Sequence, residues 1–377
     1  MKKNLEKLPV VIFLNSLEMG GAQRQAFLLA EYLRGHEKAA VQVWAFSIQG
    51  MAAESFRSLA IPLVEAPSLN GNAVKKTIAL AALTLRLRRI KPKIIVPFCD
   101  FPNKVCGAIW PLTGADMCVW NQRDEGREIT GKFLERRALR NVETFVANSQ
   151  EGASFLIRAF GVNRNRIAII ANGVRLAQAE LSGRQWREKL AIGADAFVAV
   201  MTANLTAFKD HMTLLRAWRL VLNRAGTGKR PLLLLAGKPV STETRIRDFV
   251  AEAAMADSVK LIGQVRDVAG LLQACDLGIF SSKFEGMPNS VLEYLAAGLP
   301  VVATDIVGIR EALGDDYPFL VAPEDPQMLA DKILVLTHDE HARRENAAQN
   351  YLRAENFSPA AMGEKYCRLF AQPLGIP

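Results

Sequence analysis

Cysteine is scarce in this chain. Five are spread over 377 residues, at Cys99, Cys106, Cys118, Cys275 and Cys367. Their number is odd and no two form a C-x-x-C pair, which argues against a disulfide framework or a zinc site and for a reducing compartment. Long apolar runs are also missing: none approaches the ~20 residues a membrane-spanning helix needs. The opening MKKNLEKLPVVIFLNSLEMGGA superficially resembles a secretory signal, but its apolar stretch Val10–Leu14 is short and Asn15 and Glu18 follow at once. A buried first strand is expected there instead. Aromatic residues make up only 7% of the chain, and no zinc-finger, RNP or helix-turn-helix signature accompanies them. A nucleic-acid-binding role therefore lacks support. There is no G-x-G-x-x-G and no P-loop G-x-x-x-x-G-K-[ST].

What is present is a globular composition, with 50% hydrophobic and 23% charged residues. The length suits two domains. The net charge of +9 is unevenly placed. Met1–Glu180 holds 25 Lys and Arg against 15 Asp and Glu, whereas Leu181–Pro377 holds 22 against 23. The basic excess hints at an anionic partner for the first half, although a solubility charge would look the same.

Short apolar runs alternate with amphipathic stretches. Strands are expected at Val10–Asn15, Val41–Ser47, Pro62–Glu65, Lys93–Pro97, Met117–Gln122, Thr144–Asn148 and Ile167–Ala171. A second series follows at Phe197–Thr202, Pro231–Ala236, Val259–Ile262, Leu277–Ser281, Pro300–Thr304 and Pro318–Val321. Helical patterns between them, such as Ala22–Leu33, Val74–Arg89, His211–Asn223 and Ser290–Ala297, indicate parallel sheets covered on both faces. The Gly-rich, polar stretch Asn172–Asp195 marks a boundary. The expected architecture is α/β: two Rossmann-like doubly wound domains, 1–175 and 176–377, facing across a cleft and followed by C-terminal helices. The last helix, about 358–374, is a candidate to pack back on the first domain.

Three segments could carry chemistry. Gly20-Gly21 lies between the first strand and its helix, where backbone N–H groups can approach a phosphate or sugar; a simple tight turn would read alike. Ser281–Glu293 runs from a strand end into a helix, with Pro288 near the helix start and Asn289 or Ser290 available to cap it. Seven residues separate Glu285 from Glu293. A carboxylate can accept from two vicinal sugar hydroxyls, and the N–H groups at the helix start can hold a diphosphate. Two surface glutamates near a helix start would also fit. Third, Ala203–His211 places Lys209 in the first turn of a helix, where the dipole disfavours a cation unless an anion sits nearby. His211 reads as structural.

Together, in this order, these segments resemble the retaining glycosyltransferases of family 4, with the GT-B fold. The resemblance covers nearly the whole chain and is strongest over NSQEGASFL, IIANGV, ANLTAFKDH, LLLLAGKP and LIGQVRDVAGLLQACDLGIFSSKFEGMPNSVLEYLAAGLPVVATDIVGIREAL. It implies that Glu285 lies by the transferred sugar and that Glu293 holds the nucleotide ribose. It further implies that Gly286, Met287, Pro288, Asn289 and Ser290 hold sugar and diphosphate, and that Lys209 acts on the diphosphate. Gly20 and Gly21 then lie near the donor phosphate, and the base rests near Gly263–Arg266, including Val265 and Arg266. The family's frequent arginine beside the lysine is replaced by Asn204. The histidine usual at the end of the fourth strand is missing from Pro97–Asp100, where Asp100, with Arg123, is a candidate sugar or acceptor contact. Aspartate usually follows N-G-V, but here Arg175 does. No metal and no cofactor beyond the nucleotide-sugar substrate are implied.

The function implied is metal-independent transfer of a sugar, with retention, from a nucleotide-sugar (a UDP-sugar foremost) to a glycan or lipid-linked acceptor in cell-surface polysaccharide or glycolipid synthesis. An NDP-sugar epimerase on the same fold and a weakly active binding subunit are alternatives. The expected location is cytoplasmic, or peripheral on the inner membrane face. In such enzymes the first domain receives the acceptor. Here that half carries the leucine-rich, cation-flanked stretch Lys75–Lys93, which suits an anionic membrane surface, unless Leu80, Leu83 and Leu87 simply face the sheet.

Overall fold

The computed structural model describes residues 5–123, 131–224 and 230–371. Two compact units emerge: one comprises Met1–Gly173 with Pro359–Pro377, the other Val174–Ser358. The chain thus returns to its first unit at the end.

In the first unit, β1 (Pro9–Ser16), β2 (Ala40–Ser47), β3 (Leu63–Glu65), β4 (Ile94–Pro97), β5 (Met117–Gln122), β6 (Thr144–Ala147) and β7 (Ile167–Ile169) form one parallel sheet. Its order is β3-β2-β1-β4-β5-β6-β7. Strand β1 shows why both faces are buried. Val10, Ile12 and Leu14 point into one core, with Leu29, Leu33, Phe56 and Phe370. Val11 and Phe13 point into the other, with Leu83, Leu87, Val105 and Ala138. A strand alternating between two dry faces must be apolar at every position, which is how it reads in sequence. The last helix, Pro359–Ala371, packs on the Gly21–Gly35 helix. Gly363 is needed at that crossing, because a Cβ there would lie 2.2 Å from the Tyr32 ring.

In the second unit, β8 (Val198–Thr202), β9 (Leu232–Ala236), β10 (Val259–Gly263), β11 (Leu277–Phe280), β12 (Val301–Thr304) and β13 (Leu320–Val321) form a parallel sheet ordered β10-β9-β8-β11-β12-β13. Both sheets reverse their winding direction beside the first strand of the unit, between β1 and β4 and between β8 and β11. Crevices at the carboxyl ends of such strand pairs are where doubly wound sheets bind ligands.

Two expectations need correction. The stretch Asn172–Asp195 is not only a connection: it contains the helix Gly183–Lys189, closed by a capping box between Ser182 and Gln185. That helix is held by buried Trp186, whose indole N–H donates to Asp267 at 2.8 Å. Second, neither Asn289 nor Ser290 caps the helix Asn289–Ala296, which starts after Pro288 with no side-chain cap. The Ser290 hydroxyl instead donates to the Thr202 carbonyl.

Candidate active site

The order reversal in the second sheet sets two loops side by side. Ala203–Asp210 leaves β8, and Ser281–Pro288 leaves β11. Polar contacts bind them together. The Ser281 hydroxyl donates to the Asp210 carbonyl at 3.1 Å, the Ser282 hydroxyl lies 3.0 Å from the Phe208 carbonyl, and Lys283 N donates to that carbonyl at 2.8 Å. Thr304 on β12 secures Ser282 from the other side, accepting from its N–H at 3.0 Å and donating to its carbonyl at 2.8 Å.

This frame brings the two residues expected to do chemistry into contact. The Lys209 ammonium pairs with the Glu285 carboxylate, and their side chains are 17% and 8% exposed. Lys209 also lies 4.9 Å from the centre of the Phe280 ring. The Ser282 hydroxyl is 2.9 Å from the same carboxylate oxygen of Glu285. Lys209 was expected in the first turn of a helix; it ends the 3-10 turn Ala207–Lys209, one residue before the helix His211–Arg224 begins. The intervening Asp210 takes a left-handed backbone, φ 48°, unusual for a residue with a side chain. Removing either charge leaves the other poorly solvated, so single truncations disturb stability as well as chemistry.

Gly286, Met287 and Pro288 are buried, Asn289 and Ser290 half-buried. Glu293 is 5% exposed and stands on the second turn of the uncapped helix. Gly308, at the start of the helix Val307–Leu313, seats the Gly286 carbonyl so closely that a Cβ would fall 1.3 Å from that oxygen. Sequence reasoning missed this seat, since the two glycines are distant along the chain. His211 is buried behind Lys209. Burial, reinforced by the Lys209 charge, pushes its pKa down to about 4, against a weaker opposing hydrogen bond with Ala203.

The Asn204 side-chain carbonyl accepts from Lys238 N at 3.1 Å, pinning the loop after β9. Leu205 N donates to the Lys238 carbonyl at 2.9 Å. Lys238 is exposed, a second cation at this sheet edge. Val265 is half-buried and Arg266 exposed, just beyond Gly263 (φ 70°) at the end of β10.

In the first unit, Gly20 and Asp100 lie at the carboxyl ends of the paired strands β1 and β4. Gly20 is half-buried with extended backbone, φ −155°, and precedes the helix Gly21–Gly35, which has no side-chain cap and no acidic residue in its first turn. Gly21 is exposed. Arg24 in that first turn went unremarked in sequence; burial lowers its pKa. The signal was available, because a cation against the helix dipole is the same anomaly as the one noted at Lys209. Asp100 pairs with Lys104 at 2.6 Å, and Lys104 pairs with the buried Glu135 at 2.8 Å. Burial disfavours the Lys104 charge, but these carboxylates outweigh it and raise its pKa. Arg123 is held within the first unit. It donates to Asn172 at 3.0 Å and to the Tyr366 hydroxyl at 2.5 Å, and its guanidinium lies 4.7 Å from the Phe98 ring centre. Tyr366 passes the network on to Asn121 at 2.6 Å. Among the described residues no group of three His, Cys, Asp or Glu is placed to hold a metal ion.

Two doubly wound units of this kind are the GT-B architecture. HepE of Anabaena, solved in complex with UDP and glucose, superposes with a TM-score of 0.83 at 19% identity, covering 97% of this chain and 100% of that one. That likeness establishes the shared fold. The model for Glycosyltransferase Family 4 matches residues 19–178, and the model for Glycosyl transferases group 1 matches residues 196–339. The chain belongs to the family 4-like glycosyltransferases. A D-inositol 3-phosphate glycosyltransferase of Corynebacterium efficiens is 22% identical over 250 residues, and the match spans 64% of this chain but only 59% of that protein. A Campylobacter jejuni N-acetylgalactosamine-N,N'-diacetylbacillosaminyl-diphospho-undecaprenol 4-alpha-N-acetylgalactosaminyltransferase is 23% identical over 361 residues, 92% of this chain and 94% of that one.

Proposed function

We propose that the protein transfers a sugar from a nucleotide-sugar, foremost a UDP-sugar, to a glycan or lipid-linked acceptor, with retention at the anomeric carbon. The observation that carries this reading is the Lys209–Glu285 contact at the order reversal of the second sheet, beside a helix start that no side chain caps. A diphosphate suits that corner, because the helix N–H groups and Lys209 offer positive charge where the leaving group gains negative charge. Lys209 offsets Glu285 while no donor is bound, and an arriving diphosphate competes for the same ammonium. Glu285 then faces the sugar hydroxyls, and Glu293 accepts from the ribose. The anomeric carbon–oxygen bond to the diphosphate breaks as the acceptor oxygen bonds on the same face. The acceptor proton leaves with the diphosphate, so no enzymic nucleophile and no divalent cation are required. HepE's complex with UDP and glucose favours a UDP-sugar, and the diphospho-undecaprenol in the Campylobacter relative's name favours a lipid-linked acceptor in surface polysaccharide or glycolipid assembly. Such an acceptor places the enzyme at the inner face of an anionic membrane.

A thermal-shift and turnover panel of UDP-, GDP- and ADP-sugars in EDTA tests the reading. Stabilisation by one nucleotide class and chelator-insensitive release of its diphosphate are expected. Turnover that requires added metal, or a free sugar nucleotide epimerised without an acceptor, would overturn it.

A further inference from the structure

The helix Ala73–Ile90 is apolar on two opposite faces. Its inner face, Ala79, Leu83 and Leu87, is buried against the first sheet. Leu83 and Leu87 are therefore spent on the core. Yet positions 74, 78, 81 and 85, a continuous row at helical spacing, point directly away from it. Val74 is 66% exposed, Ile78 63% and Leu85 57%. An ordinary covering helix carries polar side chains along that line.

Cations border the row. Lys75, Arg88 and Arg89 are exposed on its flanks, and the helix contains no acidic residue. Arg86, by contrast, turns back to the Glu65 carbonyl at 3.1 Å and lies 5.6 Å from the Trp44 ring. No helix among the described residues is long and apolar enough to cross a membrane.

We infer that this outer face of Ala73–Ile90 lies in the interface of an anionic lipid bilayer, with the Val74–Leu85 row in the acyl boundary and the flanking cations among the headgroups. The inference rests on the lipid-linked acceptor proposed above and names the surface that brings the enzyme to it. A second copy of the chain fits less well. A two-fold pair of this face would set like charges together, Arg88 and Arg89 against Lys75 if antiparallel or against their own copies if parallel, and three exposed side chains fall far short of the ~800 Å² per partner of a stable dimer.

Flotation of the full chain with vesicles of equal phosphatidylglycerol and phosphatidylcholine tests the inference. The wild type should float at low salt and much less at 0.5 M, where the screening length is only a few Å. The triple variant Val74→Ser/Ile78→Ser/Leu85→Ser should lose at least about tenfold in partitioning. Arg88→Gln/Arg89→Gln should lose about 20-fold on these vesicles and almost nothing on pure phosphatidylcholine. Tyr351→Ser/Leu352→Ser, which alters exposed apolar residues of the other unit, should float like wild type. Unchanged flotation of the triple variant would overturn the inference, as would a wild-type dimer by light scattering that this variant dissolves. UDP titration of the same variants separates the two readings. Wild-type UDP affinity with lost flotation supports the lipid face, while absence of any nucleotide binding strikes the catalytic reading and leaves the flotation result standing.

Discussion

Replacing Lys209 by methionine removes the cation from a carboxylate that is only 8% exposed. At an effective dielectric of about 20 and a contact of ~3 Å, the attraction lost is about 5 kcal/mol. Part of it is returned as the remaining carboxylate gains water, and breaking a buried pair from one side commonly costs about 3–5 kcal/mol. Glu285→Gln strands the ammonium in the same way but keeps an acceptor for the Ser282 hydroxyl, so its cost should fall at the lower end. In the double variant Lys209→Met/Glu285→Gln neither charge is left alone. The cycle should therefore close with a coupling of about 2–3 kcal/mol. The assay is urea unfolding of the four proteins, followed by circular dichroism, with initial transfer rates measured on the same samples. Stability should recover substantially in the double variant while activity stays lost in all three. A coupling below about 0.5 kcal/mol would refute the argument, because it would mean that Lys209 and Glu285 do not interact in the folded protein.

Gly308→Ala should cost about 1–3 kcal/mol in thermal unfolding, because the backbone carbonyl it meets cannot yield. It should also lower kcat by about 100-fold through displacement of the Glu285–Met287 loop, and an unchanged kcat would show that Gly286 is not seated there. Glu293→Gln should raise the UDP dissociation constant roughly 10-fold or more, the loss of charge-assisted acceptance from two hydroxyls, as read by calorimetry. His211 is held near a pKa of about 4 in the folded chain, below the ~6.5 of an unfolded one. Its contribution is thus complete above about pH 6.5 and is lost as pH falls towards 4, where the unfolded chain has taken up the proton. About 3 kcal/mol of stability should disappear over that window and be absent from the difference in His211→Gln, as checked by denaturation at pH 7 and pH 4.5.

The central strands were legible because they are buried on both faces. Val10–Asn15 and Leu277–Ser281 need no periodicity to be recognised, only a short β-branched or leucine-rich run between breakers. The order reversal agrees with the doubly wound architecture expected of the chain, but the side chains it brings together were not readable, since those contacts form over long separations. For the same reason the Lys209–Glu285 contact, across 76 positions, was beyond a linear reading. The expected cap at Asn289 or Ser290 failed because a neighbouring strand competed for the hydroxyl, and Thr202 offered a buried carbonyl that had to be satisfied. Gly183–Lys189 was hidden within a polar stretch because Trp186 is its one buried residue. Arg123 reads as a cation at a strand end, and its contact with Tyr366 of the last helix, 243 residues away, was beyond a linear reading. The helix Ala73–Ile90 posed the opposite problem. Its leucines suggested either a lipid face or a core face, and it has an apolar row for each.

The central claim is that a nucleotide-sugar is held and cleaved in the corner formed by Lys209, Glu285 and the Asn289–Ala296 helix. The most direct measurement is release of nucleoside diphosphate from a panel of UDP-, GDP- and ADP-sugars by the wild type and by Glu285→Gln at matched folded fractions. The account predicts release from one nucleotide class by the wild type, reduced by at least about 100-fold in the variant. Equal release by both proteins would contradict it.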